Sequence, residues 1–286
     1  MLSGTINEVS YTGRVKHYPD GSREIMVCTK PIFRYAGWEE RGKEKRKRKA
    51  GPPGSANGRS IRRAKAAVRD IALCNGMAYF VTLTLDKSKV DRHDVAGVTK
   101  KLNAWLSNQV QRKGLRYVLV PELHKDGAVH YHGLFNAALP VTDSGTIVPP
   151  GGGKPRKPRS KAQRKEWLAD GGRVVYNLPG WPYGFTTAMR LYGEYDKAVS
   201  YVCKYIGKGL DEQDNPEKIG GRWYYSGGDL ATPHITYEDF EWRDWIDKPG
   251  AYFFRVADSG CAFVMVREGP FDFFRTVKRP DQMFGW

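Results

Sequence analysis

The chain has 286 residues, of which 40% are hydrophobic, so it is long enough to bury a core as one large or two small domains. Lys and Arg outnumber Asp and Glu by 47 to 31, and the resulting net charge of +16 indicates a polyanionic partner, with nucleic acid as the first candidate. A membrane partner is not expected, because the sequence has neither a long apolar segment nor a basic amphipathic helix with a large apolar face.

The cysteines and the N-terminus both indicate a cytoplasmic protein. The residues Met1–Ile6 lack the pattern of a signal peptide. The four cysteines are widely spaced, which predicts unpaired thiols in a reducing compartment rather than disulfides or a metal site. They are Cys28, Cys74, Cys203 and Cys261.

A run of cations near the N-terminus precedes a stretch rich in Gly and Pro at 51–58. We expect residues 1–58 to form an N-terminal extension with a flexible basic arm and a linker. The arm would contact the phosphate backbone of a nucleic acid without reading its sequence, although a solvated loop is the simpler alternative. Its central cations are Lys45, Arg46, Lys47, Arg48 and Lys49.

Three regular elements follow the linker. Residues 59–74 carry apolar side chains at helical spacing and end at Asn75 and Gly76, which predicts a basic amphipathic helix. Residues 78–85 alternate in the manner of a central strand, and residues 92–112 again show a helical pattern.

The stretch 117–135 predicts an antiparallel hairpin, with two apolar runs flanking a turn at 125–127. On the second strand, His130 and His132 face one side of the sheet because they are two residues apart. Glu122 on the first strand should lie opposite one of these histidines. Two imidazoles and a carboxylate would suit Mg²⁺ or Mn²⁺ acting on a phosphate oxygen. His124 shares a face with Glu122 as a less favoured ligand, and the alternative is that the histidines only cap the hairpin edge.

Residues near 141–180 are predicted to be a flexible insertion. Their central part, 148–160, is too rich in Pro, Gly and cations to hold a packed core. It could close over a bound nucleic acid or have no role.

A later segment carries two tyrosines at helical spacing and ends at the glycine-containing stretch 207–209. Tyr201 and Tyr205 are four residues apart, so a helix stacks them on one face, with Lys204 and Lys208 beside them. A phenol attacks a phosphodiester only with cationic neighbours and a polarised phosphorus. The alternative is an ordinary core helix with solvated lysines.

The succession of strand, helix and hairpin, followed by a tyrosine-bearing helix, predicts an α+β fold in which helices flank an antiparallel sheet. We expect the main domain to span 59–230. Residues 231–286 are dense in aromatic side chains and should form a C-terminal extension that packs on this domain.

Three motifs together resemble the HUH endonuclease superfamily, in particular the rolling-circle replication initiators (Rep proteins) of small single-stranded DNA phages and related plasmids. They are the strand Phe80–Leu85, Glu122 with the sequence 130–132, and the segment 201–208. The last looks most like the initiators that carry two tyrosines.

The resemblance implies a central sheet of about five strands, related to the ferredoxin-like or RRM-like arrangement, with the metal site on the central strands. It implies that Glu122, His130 and His132 bind Mg²⁺ or Mn²⁺ and that Tyr201 or Tyr205 nicks single-stranded origin DNA, which can include a hairpin. A 5′-phosphotyrosine intermediate would start and end rolling-circle replication. If only one tyrosine acts, the resemblance to single-tyrosine relatives favours Tyr205. Host helicase and polymerase are the implied partners.

Two other functions remain open. One is a different HUH activity, a transposase or a relaxase. The other is a non-catalytic, basic nucleic-acid-binding protein whose histidines and tyrosines are structural, and whose binding would depend on salt but not on metal.

Overall fold

The computed structural model describes residues 8–35, 55–124, 126–191, 195–206, 218–249, 251–256 and 261–269. The chain divides into two compact units. A terminal unit consists of Met1–Ala50 with Pro233–Trp286, and a central unit consists of Gly51–Thr232. The predicted domain boundaries at 58 and 230 stay predictions.

The described residues form strands and helices in both units. The strands are β1 (Glu8–His17), β2 (Arg23–Tyr35), β3 (Tyr79–Leu85), β4 (Tyr117–Leu123), β5 (Val129–Phe135), β6 (Thr142–Val148), β7 (Arg173–Asn177), β8 (Gly184–Arg190), β9 (Tyr225–Gly227), β10 (His234–Glu238), β11 (Tyr252–Val256) and β12 (Cys261–Glu268). The helices are α1 (Ser55–Cys74), α2 (Val95–Lys113), α3 (Lys161–Ala169), α4 (Tyr195–Tyr205) and α5 (Arg243–Ile246).

The terminal unit contains an antiparallel sheet in the order β10-β1-β2-β12-β11. Its small core includes Ile25, Val27 and Val264. Glu24 is buried but paired, since Lys16 Nζ lies 3.2 Å from one of its carboxylate oxygens and Arg267 Nη2 lies 2.9 Å from the other. Strand β12 pairs with β2, so the two ends of the chain share one sheet. The sequence analysis treated these ends as separate extensions, because no local pattern links strands so far apart in the sequence.

The central unit contains an antiparallel sheet in the order β6-β7-β8-β3-β5-β4-β9. The predicted α+β class, with helices flanking an antiparallel sheet, is confirmed. The sheet has seven strands where about five were expected. Strands β3 and β5 lie near its centre, as the alternating sequence of the first and the hairpin pattern of the second predict.

One face of this sheet, the core face, packs against α2. Leu83 of β3 and Leu102 of α2 are completely buried in the same cluster, which also contains Trp105. The helix begins where the Asp94 side chain accepts a hydrogen bond from Gly97 N, and it ends at Gly114 in the left-handed conformation. On β5, a Cβ at Gly133 would overlap the carbonyl oxygen of Val118 on the neighbouring strand. The closeness of β4 and β5 at this point therefore requires glycine.

The opposite face, the site face, is covered in part by α4, which contacts β4, β5 and α1. Helix α1 confirms the amphipathic helix predicted from residue 59, although it begins at Ser55. Among the described cysteines, Cys28, Cys74 and Cys203 are free thiols.

The region predicted to be a flexible insertion near 141–180 contains regular structure: strands β6 and β7 pair with each other, and helix α3 lies between them. The Ser160 side chain caps α3 by accepting a hydrogen bond from Gln163 N at 3.1 Å. The Pro- and Gly-rich composition of 148–160 therefore predicts only the loop between β6 and α3, not the whole region.

Candidate active site

The β4–β5 hairpin determines which side chains meet. Its register pairs Glu122 with His130 and Val120 with His132, as the predicted hairpin requires. In the turn, Gly127 has a φ of +81°, and Asp126 Oδ1 accepts a hydrogen bond from Ala128 N. Lys125 lies outside the described residues.

His132 is held between two partners. Its Nε2 lies 2.8 Å from Glu122 Oε2, and its Nδ1 lies 3.1 Å from Thr82 Oγ1. Thr82 is directly opposite His132 on β3, so the contact follows from the strand register. A carboxylate and a hydroxyl on opposite sides of the ring fix its orientation.

His130 lies in the next cross-strand row of the same face. Its ring centroid is 6.5 Å from that of His132 and 5.2 Å from that of His124, and both pairs are stacked. Burial, with the charge of His124 as a second cause, lowers the pKa of His130, and this favours the neutral imidazole. His124 itself is exposed and lies 3.4 Å from Asp126, so its contacts are with the turn as well as with His130.

The donor set fits a divalent cation in its chemistry, since two imidazoles and a carboxylate lie on adjacent strands. In the described part of the chain, however, no three His, Cys, Asp or Glu side chains are grouped around one point as metal ligands. Glu122 and His132 are instead hydrogen-bonded to each other. Metal binding by Glu122, His130 and His132 therefore stays a prediction.

Helix α4 brings both tyrosines to this face. The ring of Tyr205 stacks on that of His132, with centroids 4.1 Å apart and planes 10° from parallel. The Tyr205 hydroxyl donates a hydrogen bond of 2.6 Å to the Tyr201 hydroxyl. The Tyr201 ring lies edge-on to Phe80 of β3, at 5.5 Å.

The two phenols differ in their surroundings. Tyr201 is 46% exposed, whereas Tyr205 is buried. Burial raises the pKa of Tyr205 far above that of a free phenol, and the hydrogen bond to Tyr201 and the charge of Glu122 raise it further. Tyr201 is thus the phenol that a macromolecular substrate can reach.

The predicted cationic residues are only partly described. Lys204 is exposed on α4, and Lys208 lies outside the described residues. The basic arm with Lys45, Arg46, Lys47, Arg48 and Lys49 lies outside them too. Their predicted roles stay predictions.

Strand β3 contributes two contacts that the sequence analysis did not assign, the hydrogen bond of Thr82 to His132 and the packing of Phe80 against Tyr201. The alternation of Phe80–Leu85 contained the signal, since it places Phe80, Thr82 and Thr84 on one face. What was missing was the pairing of β3 with β5.

Comparison with known proteins gives one match. Residues 78–210 match the model of a family of replication-associated proteins, the ORF2 type. No curated protein and no solved structure matches the chain significantly.

The matched segment begins just before β3 and extends past α4, so it includes all three sequence motifs. In the described residues, no helix combines the length and the apolar character needed to cross a bilayer. Over its central segment, the chain is similar to replication-associated proteins, and this similarity supports DNA binding and a role in replication initiation.

Proposed function

We propose that the chain is an HUH-type replication initiator that nicks and rejoins single-stranded origin DNA through a phosphotyrosine intermediate. The observation that carries the proposal is the stacking of Tyr205 on His132 at 4.1 Å, with His132 hydrogen-bonded to Glu122. Two motifs that are distant in the sequence meet on one face of the sheet. The similarity of residues 78–210 to replication-associated proteins supports the same role.

The position of the site within the sheet is consistent with an HUH arrangement. The histidines lie on β5, between β3 and β4, and the tyrosines lie on a helix that contacts β4 and β5. We interpret the central strands as the ferredoxin-like part of the fold, extended at the edges to seven strands.

Glu122, His130 and His132 would hold Mg²⁺ or Mn²⁺. When bound, such an ion supplies positive charge to a non-bridging oxygen of the scissile phosphate. Thr82 keeps the His132 ring in place through Nδ1, so that Nε2 faces Glu122 and the site.

Tyr201 is the proposed nucleophile for the first cleavage. Its hydroxyl is accessible and accepts the hydrogen bond of Tyr205, and a hydrogen bond to the oxygen favours the phenolate form. Tyr205 holds its proton more tightly because burial raises its pKa. This order is the reverse of the one that the sequence resemblance favoured.

The reaction is a transesterification. The Tyr201 oxygen attacks phosphorus and forms a P–O bond, while the bond from phosphorus to the 3′ oxygen breaks. The 3′ oxygen leaves as a hydroxyl after taking a proton, and the 5′ end stays attached to the tyrosine. No water is consumed, so attack by a 3′ hydroxyl on the phosphotyrosine rejoins the strand.

Tyr205 would act in the second cleavage, at the end of a replication round. Lys204 and Lys208 would stabilise the negative charge of phenolate and phosphate. Host polymerase would extend the free 3′ hydroxyl, and a host helicase would separate the strands.

A non-catalytic nucleic-acid-binding protein is the second candidate. The direct Glu122–His132 hydrogen bond favours it, because the same pair in a purely structural role would have this geometry. This function requires no metal and no covalent step.

Incubation of the protein with labelled single-stranded DNA from its own replicon, with Mn²⁺ or with EDTA, separates the two candidates. On a denaturing gel, the initiator gives a band of protein covalently attached to DNA, with Mn²⁺ only. If DNA binds but no adduct forms with any part of the replicon, the non-catalytic function is correct.

A further inference from the structure

An exposed aromatic ring stands on the same face as the candidate active site. Phe185 of β8 is 68% exposed, more than any other large hydrophobic side chain in the described part of the chain. Burial of a phenylalanine ring ordinarily contributes about 1.5–3 kcal/mol, so this position forgoes a substantial stabilisation.

The strand registers place Phe185 in line with the site. Glu122 pairs with His130, His130 pairs with Thr84, and Thr84 pairs with Phe185. Directly paired residues in antiparallel strands project from the same face. These four residues therefore form one cross-strand row that spans β4, β5, β3 and β8.

The alternation of β8 confirms which face Phe185 occupies. Thr186 and Ala188 are buried on the core face, and Thr186 Oγ1 accepts a hydrogen bond from Leu178 N at 2.7 Å. Phe185 and Thr187 project to the other side, where Thr82 contacts His132. Since neighbouring strands are about 4.8 Å apart, Phe185 lies roughly 10 Å from His130 along the row.

The backbone at Phe185 is held firmly. Trp181 Nε1 donates a hydrogen bond of 3.2 Å to Thr84 O, and Asp86 N donates one of 2.9 Å to Tyr183 O. A Cβ at Gly184 would overlap Thr84 O, so only glycine permits this close approach of β8 to β3. The exposed ring is therefore presented at a fixed place next to the site.

We propose that Phe185 is a stacking platform for one base of the single-stranded DNA that passes through the site. An aromatic face binds any base by stacking, and the net charge of +16 favours a polyanionic strand as the occupant. The neighbours Thr84 and Thr187 are polar, so the apolar area is the size of one ring, which suits a base and is too small for a protein interface. At a rise of about 3.4 Å per nucleotide, the distance of roughly 10 Å corresponds to about three nucleotides from the scissile phosphate.

This inference rests on the proposed function in one respect, that the ligand is single-stranded DNA. It does not require cleavage. Binding is therefore measured in EDTA, so that a failure of the nicking chemistry and a failure of the stacking platform give different results.

The test compares fluorescently labelled oligo(dT) with an abasic oligomer of the same length, by anisotropy at fixed salt. Phe185→Ala should weaken oligo(dT) binding about 5- to 100-fold, as the loss of one stacked base predicts, and leave abasic binding within about twofold. Phe185→Trp should restore the affinity, whereas Phe185→Leu should not, because it keeps apolar volume but lacks an aromatic face.

Leu168→Ala is the matched control, since Leu168 is also exposed, at 38%, but lies on α3 outside the row. It should bind both oligomers as the unchanged protein does. The inference is overturned if Phe185→Ala binds oligo(dT) normally, if it weakens both oligomers equally, or if Phe185→Leu restores binding.

Discussion

The two faces of the central sheet are built from the same strands but serve different purposes. On the core face, Val81 and Leu83 of β3 are completely buried against the cluster that includes α2. On the site face, Thr82 of the same strand is hydrogen-bonded to His132. Because side chains alternate along a strand, neighbouring residues belong to opposite faces. A substitution on the core face should therefore change stability, and one on the site face should change chemistry.

The largest effect is expected for the double substitution Tyr201→Phe/Tyr205→Phe. It removes both hydroxyls and keeps both rings, including the ring that stacks on His132. We expect no covalent adduct on a denaturing gel and an unchanged circular dichroism spectrum. Tyr131→Phe is the control on the core face, since Tyr131 is fully buried, and it should still form the adduct. An adduct in the double variant would contradict the tyrosine mechanism.

His132→Ala should come next. It removes the imidazole that contacts Glu122, Thr82 and Tyr205. Cleavage should fall by more than the roughly 10- to 100-fold that the loss of an outer partner of a metal ligand costs. Single-turnover cleavage with Mn²⁺ measures this. His234→Ala, an exposed histidine of the terminal unit, should cleave normally, and equal rates for both variants would remove His132 from the site.

Leu102→Ala tests the core face. The side chain is completely buried, so its truncation should lower the free energy of unfolding by about 2–5 kcal/mol. Thermal unfolding followed by near-ultraviolet circular dichroism measures the loss, and cleavage per folded molecule should not change at a temperature where the variant is folded. A variant that is stable but inactive would show that the two faces are not independent.

Thr82→Val should have the smallest effect. It keeps the shape of a β-branched side chain but removes the hydroxyl that contacts His132 Nδ1. We expect cleavage about tenfold slower, at the low end of outer-partner effects, with little change in the melting temperature. Thr187→Val, on the same face but in β8, is the matched control. Equal cleavage by Thr82→Val and the unchanged protein would mean that His132 needs no orienting partner.

Local pattern predicted most of the central unit. The hairpin and the facing of His130 and His132 follow from periodicity and turn residues, and the register that pairs Glu122 with His130 is one of the two pairings expected. Long-range pairing could not be read in this way. Nothing in the sequence near β2 or β12 indicates that they are neighbours, and nothing near β3 indicates that Thr82 lies opposite His132. The burial that distinguishes Tyr205 from Tyr201 depends on how α4 packs, which spacing alone does not determine.

Gly133 has a consequence for genetics. It follows His132 directly, and any side chain there would collide with β4. A screen for loss of replication should therefore return Gly133 substitutions beside those at Glu122 and His132, although Gly133 takes no part in the reaction. Protein yield separates the two groups, because a Gly133 variant should accumulate poorly in cells while a His132 variant accumulates normally.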